Sequence, residues 1–241
     1  MASTIAVAWV AAVSLWFFYR WFWVLAGLAS AFLVVAPVLA TGLYAFSRAR
    51  EREEAADFRL LRLTWTAWGA RRRSDPSSYW CLVRFGGLLG LAAAGWIMTS
   101  AAFVAAFSPA PVREPLEFVR LVLLSEQSWV FEVWLVLGGL MAAPIFASSV
   151  VTIPFLLDRQ VRLKQAVLTS WQAVLANPVT MAVWASLLLL LVLVGFATAT
   201  LGLIIMVPLL GHASWHAYRD LVDVEHLPER LPRHELERGG A

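Results

Sequence analysis

The chain is short of charge, of cysteine and of lysine, and each shortage narrows what it can be. Charged residues make up 15% of its 241 positions and apolar residues 61%, well outside the range of soluble domains. Cys81 is the single cysteine, which excludes an intrachain disulfide and any cysteine-based metal site. Lys164 is the single lysine among 19 basic residues, and the net charge is only +3. No nucleic-acid partner is expected from so small a balance. Hydrolase elbow, phosphate loop, dinucleotide fingerprint and metalloprotease motif are all missing, so no catalytic residue and no enzyme activity are expected. The most informative shortage is local. Residues 178–218 hold no Asp, Glu, Lys or Arg, and about 20 apolar residues cross a bilayer as a helix, so this run can cross twice.

The same reading extended along the chain predicts an all-α integral membrane protein with six spans. They cover about 2–18, 22–46, 79–107, 129–157, 178–197 and 201–218, each delimited by charge, proline or a break in the apolar run. The chain opens Met1-Ala-Ser-Thr4 with no basic region before its apolar stretch, so the first segment is expected to be a retained helix rather than a signal peptide. The turn Thr198-Ala-Thr200 is uncharged. It is expected to lie near the headgroups or to be shielded by protein, because unpaired backbone in hydrocarbon costs several kcal/mol per group.

Orientation follows from the arginines. The connection 47–78 holds Arg48, Arg50, Arg52, Arg59, Arg62, Arg71, Arg72 and Arg73; the connection 158–177 adds Arg159, Arg162 and Lys164; the tail adds Arg219, Arg230, Arg233 and Arg238. Fifteen basic residues thus fall on one side and three, Arg20, Arg113 and Arg120, on the other. Arg84 lies just inside the third span and can snorkel toward the arginine-rich side. Both termini are expected in the cytoplasm, and the localisation expected is the bacterial inner membrane.

The two large cytoplasmic connections carry amphipathic helices, predicted over about 50–72 and 159–176. Phe58, Leu61, Trp65 and Trp68 recur at steps of three and four in the first, and Leu163, Val167, Trp171 and Val174 in the second. Arginine-flanked helices with tryptophan on the apolar face suit the headgroup layer. The candidate lipid-interface residues are therefore Arg59, Arg62, Trp65, Trp68, Arg71, Arg72, Arg73 and Trp171, with membrane lipids, anionic on the cytoplasmic face, as their partner. Covering the cytoplasmic ends of the bundle is the simpler role for both helices. Residues 221–241 alternate charge with Pro228 and Pro232 and read as a polar, mobile tail.

A weak repeat joins these parts. Pro37 precedes Arg48 by eleven residues and Pro208 precedes Arg219 by eleven, while Pro144 and Pro154 mark the fourth span. The pattern suggests three hairpins with a proline-bearing helix second in each. On the outer side, 108–128 opens with three prolines and repeats Leu116, Val119 and Leu123 at helical spacing, which predicts a short interfacial helix. Glu132 beside it is expected to be solvated.

His212 and His216 are one helical turn apart and can face one point, the geometry of two ligands on one helix. Asp220 continues the face, but eight residues of helix rise about 12 Å, so it cannot share an ion with His212. Zinc takes three or four protein ligands and haem one or two axial histidines, and no histidine precedes residue 212. Packing is the preferred reading, with Gly211, Ala213 and Ala217 letting another helix come close. Haem or metal ligation through His212 and His216, and a proton-linked role, are the alternatives. No cofactor is expected otherwise.

Several of these stretches resemble a known family. Phe155-Leu-Leu-Asp158-Arg159, Leu168-Thr-Ser-Trp171, Val174-Leu-Ala-Asn177-Pro178, Gly202-Leu-Ile204 and Pro208-Leu-Leu-Gly-His212-Ala-Ser-Trp-His216-Ala-Tyr-Arg219 look like an uncharacterised bacterial integral membrane family. It is a domain of unknown function whose members are sometimes labelled cytochrome c oxidase or oxidase-associated proteins. The resemblance is strongest over 154–222 and extends to 36–44. It implies a six-span inner-membrane protein and little more about activity. The function expected is that of a non-enzymatic accessory or assembly partner of a larger membrane complex, with a respiratory oxidase as the leading candidate on the resemblance alone. A small transporter or channel with a site between hairpins is the alternative from a different class.

Overall fold

The computed structural model describes residues 22–54, 57–66, 80–125, 129–198 and 200–230. Ten α-helices follow in order: α1 (Phe22–Leu39), α2 (Thr41–Glu51), α3 (Phe58–Thr66), α4 (Trp80–Phe107), α5 (Pro115–Phe118), α6 (Trp129–Ser149), α7 (Thr152–Asp158), α8 (Leu163–Ala176), α9 (Pro178–Ala197) and α10 (Leu203–Leu221). A π-helical turn, Val119–Leu123, continues α5. The described residues form no β-strand, and the fold is all-α as expected.

Three stretches are long and apolar enough to cross a membrane: Trp80–Phe107, Trp129–Asp158 and Pro178–Ala197. At 28, 30 and 20 residues they rise about 42, 45 and 30 Å, against a hydrocarbon core of about 30 Å. They coincide with the third, fourth and fifth expected spans. The first expected span lies outside the described residues. The second corresponds to α1 with the start of α2, and the sixth to α10.

The breaks between helices have local causes. The stretch Trp129–Asp158, expected as one helix, divides at Val150 and Val151 into α6 and α7. Pro154 cannot donate to the carbonyl four residues back and its ring clashes with it, which stops the helix there. The amide of Val151 that the break frees donates instead to Ser170 Oγ of α8 at 3.2 Å. The amphipathic helix expected over 50–72 starts later, because α2 runs on to Glu51 and Glu53 then takes φ 58°. The chain re-enters helix α3 through an Asp57 cap, with Leu60 N–H donating to Asp57 Oδ1 at 2.9 Å. The uncharged turn between α9 and α10 satisfies itself. Thr198 Oγ1 donates to Gly195 O at 2.9 Å and accepts from Gly202 N–H at 2.8 Å.

Packing is concentrated at the arginine-rich end. There α2, α7 and α10 meet one another, and α8 lies across α6 and α7. Tyr44, Ala45, Leu82, Phe85, Ile153, Phe155, Leu157, Trp215 and Tyr218 form the main core. A smaller cluster of Val104, Val112, Val122 and Val130 closes the opposite end, where Trp134 gathers Trp96, Phe118 and Phe131 around it. Between the two, α4 and α9 turn Leu91, Met98, Leu190 and Leu193 outward.

Candidate functional site

The main core carries a charged cluster built from four segments of chain. Asp158 ends α7, with its side chain only 2% exposed. A lone carboxylate so deep is costly unless it is paired and hydrogen-bonded. Its Oδ1 accepts from Arg52 Nη2 at 3.1 Å. Its Oδ2 accepts from Arg159 Nε at 3.0 Å and from the Tyr218 hydroxyl at 3.0 Å, with Arg219 Nη1 a further 3.8 Å ion pair. Arg48, buried on α2, donates from Nη1 to Leu157 O at 2.7 Å. That places a guanidinium on the carbonyls at the C-terminus of α7, where the helix leaves acceptors without partners and the dipole favours positive charge.

A second layer sits around this centre. Glu51, at the end of α2, accepts from Trp215 Nε1 at 2.9 Å and from Arg219 Nε at 3.0 Å. Glu229 pairs with Arg52 at 3.1 Å and with Arg159 at 3.5 Å. It belongs to a stretch expected, by its charge, to be part of a mobile tail. Residues 224–230 are instead docked: Gln160 N–H donates to Pro228 O at 3.0 Å, Arg159 Nη1 to Leu227 O at 2.9 Å and Arg230 N–H to Asp158 O at 2.8 Å. Val224 and Arg230 are buried there. Residues 231–241 lie outside the described part.

The histidines flank this cluster without entering it. Gly211 lets α10 approach α2 so closely that a Cβ there would stand 2.7 Å from Leu43 Cδ1. At the next residue of α10, and one turn past Leu43 on α2, His212 Nδ1 lies 2.6 Å from Ser47 Oγ. His212 and His216 are both exposed, while Trp215 and Tyr218 beside them on α10 are buried. No group of three or more His, Cys, Asp or Glu capable of holding a metal occurs among the described residues, so the pair would hold an ion with only two protein ligands of its own.

The lipid-interface residues divide. Arg59 and Arg62 are exposed on α3, beside Phe58 at 86% exposure, while Leu60 and Thr64 on the other face are buried. Trp65 is in α3 with its side chain outside the described part, as are Trp68, Arg71, Arg72 and Arg73 altogether. Trp171 donates from Nε1 to Ser148 Oγ of α6 at 2.9 Å, and Leu163 and Val167 pack against the main core. That stripe of α8 therefore faces the bundle, with Leu168 and Leu175 exposed.

Sequence reasoning passed over Asp158 as a centre, although a signal existed. Between Glu132 and Asp220 it is the only carboxylate. Ser47, Arg48 and Glu51 gave no such sign, because their partners are more than a hundred residues away in sequence.

No curated protein and no solved structure matches the chain. A family model matches residues 24–158, ending on Asp158 itself. It takes in residues 36–44 and 154–158 of those that carry the resemblance and leaves α8 to α10, with both histidines, beyond its end. On that match, which spans more than half of its length, the chain belongs to the DUF2189 family of predicted integral membrane proteins.

Proposed function

We propose that the chain is a non-enzymatic, multi-pass subunit that packs laterally within a larger membrane complex, its six spans arranged as three hairpins with both termini in the cytoplasm of a bacterium. One contrast carries this reading. At the arginine-rich end Arg52, Arg159 and Arg219 are held in internal bonds to Asp158, Glu51 and Glu229, as suits a latch that fixes helices. The helices α4 and α9 meanwhile bury only 17% of their most apolar windows, against 50% for Trp129–Asp158. Spans so little covered by their own chain offer broad apolar faces to lipid or to other membrane helices. A transporter would place its polar groups near mid-span, whereas this cluster sits at helix ends.

A respiratory oxidase is the complex that the family resemblance points to, and the basic cytoplasmic face would meet anionic lipid. Gentle detergent extraction, affinity isolation and mass spectrometry test the proposal. Stoichiometric recovery of oxidase subunits supports it, and a chain that migrates alone at its own mass overturns it.

A further inference from the structure

We propose that His212 and His216 form a two-imidazole site for a divalent transition-metal ion of the copper(II) and nickel(II) class, and that Ser47 is the positioning residue of its first ligand.

The argument begins at Ser47. Its Oγ lies 3.0 Å from Leu43 O and 2.6 Å from His212 Nδ1. A hydroxyl has one proton, and a carbonyl oxygen can only accept. With the Ser47 proton on its helical bond to Leu43 O, the imidazole is the donor in the contact with His212. That arrangement gives the neutral ring its Nδ1–H form and leaves the lone pair on Nε2, across the ring from α2. Histidines that bind metals are oriented in this way, by a hydrogen bond from the nitrogen that does not ligate.

The surroundings complete the site. His212 and His216 are both exposed and, one turn apart, share a face of α10. Gly211 makes the Ser47 contact available by admitting Leu43 and its helix. Three residues past His216, Arg219 pairs with Glu51 at 3.0 Å, which puts the histidines at the charged end of the span, where water can supply further ligands. Two imidazole nitrogens completed by oxygen suit the tetragonal preference of copper(II) and nickel(II), and copper(II) heads the affinity order for such ligands.

The test uses the full chain without an affinity tag, purified in detergent and titrated with copper(II) under electron paramagnetic resonance, and with nickel(II) against a competing chelator. The expected result is one ion per chain with nitrogen hyperfine structure from two imidazoles. His212→Ala and His216→Ala should each weaken binding at least about tenfold, and Ser47→Ala, which keeps both ligands, by about 10- to 100-fold. His216 is exposed, so His216→Ala gives a reading even where substitution at the His212 contact impairs folding. Wild-type affinity equal to that of the His212→Ala/His216→Ala double variant overturns the proposal. So does a folded Ser47→Ala variant that binds as tightly as wild type.

Discussion

The Tyr218 hydroxyl donates to Asp158 Oδ2 at 3.0 Å across sixty residues of sequence, and that bond ties the last helix to the end of α7. Tyr218 is itself fixed by rings on both sides, with Phe155 at 6.0 Å and Trp215 at 5.5 Å between centroids. The donor is thus held in place before the bond forms, and little side-chain freedom remains to be lost.

Tyr218→Phe should destabilise the protein by about 1.5–3 kcal/mol, the range for hydrogen bonds to charged groups. Asp158→Ala should cost about 3–5 kcal/mol, because buried Arg159 loses its carboxylate at 3.0 Å and keeps only the more exposed Glu229 at 3.5 Å. The two losses should not add. Once Asp158 is gone, Tyr218→Phe removes nothing, so a double-mutant cycle followed by equilibrium unfolding in mixed detergent should give a coupling of about 1 kcal/mol or more. Additive losses would mean that the bond contributes nothing to the latch.

Glycine substitutions should separate the packed helix pair from the open faces. A Cβ on Gly211 would meet Leu43 Cβ at 2.9 Å as well as Cδ1, and the Cβ cannot move without its helix. Gly211→Val should therefore force α10 from α2 at a cost of about 1–3 kcal/mol. A Cβ on Gly87 meets nothing within 4 Å, so Gly87→Ala should be neutral or stabilising by up to about 1 kcal/mol. Thermal unfolding of the two variants in the same detergent provides the comparison, and a similar shift in both would argue against close packing at Gly211.

The membrane class and the third to fifth spans were legible in the sequence, because each depends on local composition, whereas the break ahead of Pro154 was not. Long-range polar pairing was a different matter. Asp158 stands alone in its stretch, yet nothing local says that Arg52, Arg219 and Glu229 converge on it. The docked stretch 224–230 was misjudged for the same reason. Its charges look like those of a solvated tail until their partners on α7 and its following turn are known. The histidine pair was legible as spacing, but Ser47, which contacts the first ring, lies 165 residues away.

Removing the docked stretch should loosen the latch. A chain ended after Leu221 loses the acceptors Pro228 O and Leu227 O and the Glu229 carboxylate, while Arg159 and Gln160 remain. Gln160 is exposed and can turn to water, whereas the buried Arg159 guanidinium left without its acceptor costs about 1–3 kcal/mol. Relative to a chain ended after Arg230, it should lose about 1–3 kcal/mol in unfolding experiments. Equal stability of the two truncations would show that 222–230 contributes no structure.

Cysteine labelling can decide which side the latch faces. Cys81 is the only cysteine and is 5% exposed, so Cys81→Ala gives a chain without thiols on which single probes can be placed. Arg59 is exposed on α3 near the arginine-rich end, and Leu116 is exposed on α5 at the opposite one. Basic residues are retained on the cytoplasmic side because of their bias against translocation. On the proposed six-span topology fifteen of them share the side of Arg59, against three on the other. With a membrane-impermeant maleimide on intact cells, Leu116→Cys should react and Arg59→Cys should react only after lysis. The opposite result would place the arginine-rich end outside, remove its access to anionic cytoplasmic lipid, and leave the latch as a purely internal device.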